Sequence, residues 1–107
     1  MILEERNYQM LPGGVFRYLD IWQRLGREPQ IRHLGAPLGV YTVEIGELNT
    51  LVYLWQYDDF TDRATRRQEL AKDPGFAVFR TNVRSLLVSQ ASRILLPSAR
   101  TESSSPP

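Results

Sequence analysis

An α+β fold, a four-stranded antiparallel sheet with its helices on one face, is what this sequence predicts. Apolar residues recur alternately at strand spacing and at helical spacing, in the order β-α-β-β-α-β. The run Leu51-Val52-Tyr53-Leu54-Trp55-Gln56-Tyr57 is apolar on both faces if it is a strand. Helices on one side cover one of those faces. The other needs a cover too, and in a domain of this size the most economical one is a second copy of the same chain.

Ile2 to Met10 alternates as a strand, with Ile2, Glu4, Arg6, Tyr8 and Met10 on one face and Leu3, Glu5, Asn7 and Gln9 on the other. Pro12-Gly13-Gly14 breaks the extended run. Val15, Tyr18, Leu19, Trp22 and Leu25 follow at helical spacing, and Gly26 is expected to end that helix. Arg27 to Pro37 reads as a long connection holding a short helical turn, Pro29–Leu34. Leu38 to Ile45, rich in Val, Tyr and Thr, is strand-like. Gly46-Glu47-Leu48-Asn49 turns the chain into the strand Thr50–Tyr57, completing a hairpin. Asp58-Asp59-Phe60-Thr61 offers N-caps for a charged helix, Asp62–Lys72. Asp73-Pro74 restarts a second helical piece, whose core stripe is Phe76, Phe79, Val83, Leu86 and Leu87. Ser89 to Leu96 is the last strand. The domain spans 1–97, and Ser98 to Pro107 has the composition of a disordered Ser/Pro tail. Two split βαβ units in this order give the ferredoxin-like sheet, and two such sheets face to face give a dimeric α/β barrel.

Composition excludes several function classes. Thirteen basic and twelve acidic residues nearly cancel, and there is no broad basic stripe, so nucleic acid is a poor partner. Cysteine is absent, which removes disulfides, thiolate nucleophiles and Cys-rich zinc sites. Met1-Ile2-Leu3-Glu4-Glu5-Arg6 becomes charged at once, unlike a signal peptide, and no stretch has the length of a membrane-spanning helix. A cytoplasmic protein with no membrane insertion is expected. Pro12-Gly13-Gly14 lacks the phosphate-loop signatures, and the serines cluster in the tail, where no nucleophile is held in place.

Several segments, in order and spacing, carry a resemblance. They are Ile2-Leu3-Glu4-Glu5-Arg6-Asn7-Tyr8 with Leu11-Pro12-Gly13, Arg32-His33-Leu34-Gly35 with Leu38-Gly39-Val40-Tyr41, and Glu44-Ile45-Gly46-Glu47-Leu48-Asn49. Val52 to Tyr57, Arg63-Ala64-Thr65-Arg66-Arg67 and Leu70-Ala71-Lys72-Asp73-Pro74 complete the set. The chain resembles a bacterial member of the NIPSNAP family, within the dimeric α/β-barrel superfamily. The resemblance implies the barrel dimer and no defined biochemistry. Animal relatives are linked to mitochondria, and no presequence is read at this N-terminus.

The candidate residues each have two readings. Arg6 and Tyr8, beside Glu4, could form the polar end of an apolar cavity, Arg6 holding a carboxylate or enolate oxygen; alternatively a Glu4–Arg6 or dimer-spanning ion pair sets register. His33, the one histidine, could act as a general base or be a helix-capping or surface residue. It has no second histidine at ligand spacing, so no metal is expected. Trp22, Tyr41, Tyr53, Trp55 and Tyr57 suit a small-molecule pocket or plain core, with Trp22 and Trp55 the foremost pocket candidates. Arg63, Arg66 and Arg67 share a helix face and could draw an anion to a cavity mouth, or form a solvated face with i, i+4 ion pairs.

The ligand-binding set is therefore Arg6, Tyr8, Trp22, His33, Tyr41, Trp55 and Arg67, with His33 and Arg6 the catalytic candidates and no cofactor. Two functions follow. One is a homodimer binding a small apolar or aromatic molecule between sheet and helices. The other, implied by the superfamily resemblance, is a cofactor-independent monooxygenase or isomerase of aromatic or polyketide-like substrates. Haem degradation, also found in that superfamily, would require His33 as an axial ligand.

Overall fold

The sequence's first strand, β1 (Ile2–Met10), lies between β3 (Thr50–Tyr57) and β4 (Leu87–Leu95), while β2 (Gly39–Thr42) flanks β3. Every neighbouring pair is antiparallel. The computed structural model describes residues 1–99. Its strand order, β2-β3-β1-β4, is the expected ferredoxin-like one, and the α+β class is as the sequence predicts. The expected tail falls outside the described residues except for Ser98 and Ala99. Among the described residues no helix is long and apolar enough to cross a membrane.

Gly26 does not end the first helix. The segments α1 (Gly14–Ile21), a π-helical turn (Trp22–Gly26) and α2 (Arg27–Leu34) follow without a break. The Arg27 N–H donates to the carbonyl five residues back, on Trp22. The wide turn comes just before Pro29, whose missing N–H and bulky ring disrupt a regular helical ladder. Gly26 is small for a packing reason: a Cβ there would sit 2.7 Å from Cδ1 and Cγ of Phe79. Gly35, at φ +79°, is the residue that ends the helix. The expected long loop is thus helical almost to its end.

The rest departs less. The strand expected to run to Ile45 stops at Thr42, because the chain turns through left-handed conformations at Gly46 (φ 125°) and Asn49 (φ 60°). The helix expected from Asp62 begins two residues earlier, as α3 (Phe60–Lys72), capped by Asp59, whose Oδ1 accepts the Asp62 N–H at 2.7 Å. Then α4 (Pro74–Val83) starts as expected, with Pro74 in its first turn and Asp73 Oδ1 accepting the N–H groups of Gly75 and Phe76. A 3-10 turn, Arg84–Leu86, leads into β4.

Strand parity decides which side chains meet the helices. Ile2, Glu4, Tyr8 and Met10 of β1 are buried with Leu51, Tyr53, Trp55 and Tyr57 of β3, as the alternation predicts. The helices close over them with Val15, Tyr18, Trp22, Leu34, Leu70, Phe79 and Val83. Each of the larger side chains contributes about 1.5–3 kcal/mol of burial. On the sheet's other face the apolar part comes from Val52 and Leu54, both half-buried, together with Leu3 and Leu95. A polar ladder fills the remainder: Asn7 Nδ2 donates to Glu5 at 2.9 Å, Arg93 Nη2 to Glu5 at 3.1 Å and Ser89 Oγ to Gln9 at 3.1 Å. The uncovered face is mixed rather than uniformly apolar.

Candidate functional site

Glu4 is fully buried at the centre of the sheet and gathers three guanidinium groups. Arg63 Nη2 donates to Oε2 at 2.7 Å, Arg6 Nη1 to the same oxygen at 3.1 Å, and Arg67 Nη2 to Oε1 at 3.0 Å. The Tyr57 hydroxyl adds a bond to Oε1 at 3.1 Å. Register explains the convergence: Glu4 and Arg6 lie on one face of β1, and Arg63 and Arg67 are one turn apart on α3 above it. Burial pushes the Glu4 carboxyl up, but the Arg63 hydrogen bond and the charges of Arg67 and Arg6 outweigh it and hold the pKa at about 2.

Next to this hub lies a cavity of about 380 Å³ between sheet and helices. Its inner wall is Tyr8, Tyr18, Gln30, Leu70, Phe79 and Val83, all buried. Aromatic contacts stiffen that wall, with Tyr18 edge-on to Phe79 at 5.4 Å and stacked on Tyr8 at 6.0 Å. Arg80, Arg84 and Gln90 form an exposed rim, and Arg6 and Arg67 close the side nearest Glu4. Among the described residues, four of the lining side chains are guanidinium groups and none is a carboxylate or an imidazole. Arg6 Nε donates to the Tyr8 hydroxyl at 2.7 Å, and Arg80 lies 5.6 Å above the Phe76 ring.

The structure brings Arg6, Tyr8 and Arg67 of the expected binding set to this cavity. Trp22 and Trp55 are buried at the helix–sheet interface, as parity predicts, but lie behind the lining rather than in it. Trp55 stacks on Tyr53 at 5.6 Å, and Trp22 meets Tyr53 edge-on at 5.5 Å. Tyr41 is a correction: it pairs with Val52, half-exposed, on the sheet face away from the cavity. His33 is another. Its Nε2 lies 2.9 Å from Asp73 Oδ2, joined there by Arg32 Nη2 at 2.9 Å, so the imidazole braces the α4 cap outside the cavity lining. With the His33 contact, the two cap N–H groups and Arg32, Asp73 has its pKa held at about 2. An imidazole so placed does not serve as a haem ligand in this cavity.

The arginine triplet divides. Arg66 makes the solvated i, i+4 pair with Asp62 at 2.8 Å, whereas Arg63 and Arg67 turn inward to Glu4. The NIPSNAP family model matches residues 3–101.

The chain belongs to the NIPSNAP family.

As a NIPSNAP chain it is 31% identical over 97 residues to the NipSnap homolog of Dictyostelium discoideum, covering 90% of this chain and 42% of that relative. It is 31% identical over 99 residues to NipSnap homolog 3B of Homo sapiens, covering 92% and 40%. It spans less than half the length of these curated relatives. A NIPSNAP domain protein and a NIPSNAP-like domain protein, both from Burkholderia xenovorans, share its structure. One has a TM-score of 0.90 at 33% identity, covering 95% of this chain and 99% of that one. The other has 0.87 at 38%, covering 99% and 89%. At low identity the fold alone is shared. A dimeric ferredoxin-like protein from an uncultured marine organism gives 0.75 at 11% (95% and 92% covered), and an antibiotic biosynthesis monooxygenase gives 0.63 at 9% (92% and 100% covered).

Tyr18, Gln30, Arg80, Arg84 and Gln90 complete the NIPSNAP cavity without having been singled out in the sequence. Tyr18 carried a signal, since it lies on the apolar helix stripe but has a polar tip. Arg80 and Arg84 are one helical turn apart, a spacing too common to be informative by itself. Gln30 sits in the short helical turn expected inside a long connection, with nothing in the sequence to join that turn to the preceding helix.

Proposed function

We propose that this NIPSNAP domain binds a small organic anion, an apolar or aromatic body bearing a carboxylate, in the cavity between sheet and helices. The observation that carries this reading is the lining: an aromatic wall, four guanidinium groups and, among the described residues, no acidic side chain. Arg6 and Arg67 are shared with Glu4, whereas Arg80 and Arg84 form no ion pair among the described residues. They are the groups left to meet an incoming carboxylate, and guanidinium geometry suits one well. Binding is favoured over proton abstraction because, among the described residues, the lining has no carboxylate or imidazole base. Its Tyr18 phenol is pushed far up by burial and the neighbouring Tyr8, against a smaller opposing effect of Arg6.

Calorimetric titration with a phenyl-substituted alkanoate and its primary amide tests this. The carboxylate is expected to bind about tenfold more tightly than the amide, a preference lost in the Arg80→Gln, Arg84→Gln double variant. Equal binding of the amide overturns the reading. Replacing His33 with Ala is expected to leave the alkanoate Kd within about twofold while lowering the urea midpoint, because its partner is a helix cap rather than the ligand. Loss of binding with the fold intact would return His33 to the site.

The domain is proposed to work as a homodimer joined through the open sheet face. Half-buried Val52 and Leu54 support this, with Leu3 and Leu95 beside them. So does the shared fold of the dimeric ferredoxin-like protein. Light scattering at micromolar concentration should return twice the mass of one chain, and Leu54→Arg should return the mass of one with the circular dichroism spectrum unchanged. A wild-type chain that runs alone sinks the assembly.

A further inference from the structure

The geometry points to Gln30 as the specificity-determining residue of the cavity, held by Trp22 so that its amide N–H groups read a neutral carbonyl oxygen set apart from the ligand's carboxylate; the preferred ligand is then an oxo acid. This rests on the anion-binding reading above and adds to it a second recognition point.

Gln30 is 4% exposed and lines the cavity. Its Oε1 accepts the Trp22 indole N–H at 2.6 Å, a bond between two buried side chains. An indole nitrogen only donates, so the amide has a single orientation, oxygen toward Trp22 and nitrogen away from it. Among the described residues, Nε2 makes no hydrogen bond. Two N–H donors are therefore fixed in a wall that is otherwise aromatic and aliphatic, open to the cavity and to an acceptor on a ligand.

The π-helical turn is what makes the pair possible. In an unbroken α-helix, residues eight apart point about 80° away from each other. The π turn inserts one extra residue between Trp22 and Gln30, which returns them to within about 20°, on one helix face two turns apart. Trp22, behind the lining, then meets Gln30 in the cavity wall.

The inner polar groups share this sense. Tyr8 already accepts a hydrogen bond from Arg6 Nε, so its own hydrogen is left for another acceptor. The inner donors are neutral, while Arg80 and Arg84 stand on the exposed rim. A carboxylate carried to the inner wall would lose hydration without meeting an unpaired cation; a ketone oxygen loses far less. The charge belongs at the rim and the neutral oxygen inside.

The test titrates a phenyl-substituted alkanoic acid and counterparts that differ by one ketone at successive positions along the chain. At least one ketone acid is expected to bind about tenfold more tightly than its parent. In Gln30→Glu, which keeps an acceptor for Trp22 but removes both donors, that ratio should fall to about one. The infrared carbonyl band of the isotopically labelled ketone should move to lower wavenumber on binding, and this shift should vanish with the substitution. Should Gln30→Glu fail to fold, Trp22→Phe carries the test, because the freed amide can turn and the preference should drop. Parent binding with no ketone preference, or a preference that survives both substitutions, overturns the role of Gln30 and leaves the anion site standing. Failure of every acid to bind removes both.

Discussion

Glu4→Gln is expected to destabilise the domain by about 3–5 kcal/mol, read from urea unfolding, because removing one partner of a buried ionic cluster strands the others. Three guanidinium groups, each less than a third exposed, would remain drawn together with no counter-charge. Tyr57 would lose part of its hydrogen bonding as well. The contrast is Glu5→Gln on the open face, where Arg93 is two-thirds exposed and the pair contributes about 0–1 kcal/mol. Acid titration gives a second view. The folded carboxyl of Glu4 titrates at about 2, below its ordinary 4.5, so the ionised group stabilises the fold fully above the ordinary value. That contribution should fade as pH drops from about 4.5 through about 2, and this part of the acid limb should flatten in Glu4→Gln. A variant with wild-type stability and an unchanged acid limb would show that the hub is not structural.

Phe79→Ala should cost about 3–5 kcal/mol, the range for truncating a buried phenylalanine. Its ring is 2% exposed, edge-on to Tyr18 and tilted on Phe76 at 5.6 Å. It also sits over Gly26, where α4 meets the π turn. The ring lines the cavity, so its loss joins a new void to the existing space. A naphthyl alkanoate should then gain affinity relative to the phenyl one. Unchanged size preference would place the ligand elsewhere. The reverse change, Gly26→Ala, overpacks the same contact and should cost about 1–3 kcal/mol.

The Gly26 contact shows where sequence reading stops. A glycine after an apolar helical stripe has two physical uses, termination and close approach, and local pattern does not separate them. Phe79, more than fifty residues away, decides for close approach. The π turn was equally hidden, because it shifts the phase of the helix and makes Arg27–Leu34 look unrelated to the stripe before it. Gln30 was hidden with it. For His33 the sequence left general base and helix-capping or surface histidine both open, and the choice falls to Asp73, the cap at the start of another helix, forty residues away. Arg6, Tyr8 and Arg67 were legible for a simple reason: charged and phenolic groups on inward strand or helix positions need either a partner or a ligand.

What the sequence by itself determined is the order of elements, the inward face of β1 and β3, the Asp73 cap, the presence of a cap within Asp58–Thr61, and the family. These depend on alternation, capping chemistry and local composition, all properties of neighbouring residues. Tertiary structure alone decided that Glu4 collects Arg6, Arg63 and Arg67, that Gln30 reaches the cavity, and that Tyr41 does not. Each of these depends on the distance between residues far apart in the chain, and only the packed sheet and helices set that distance.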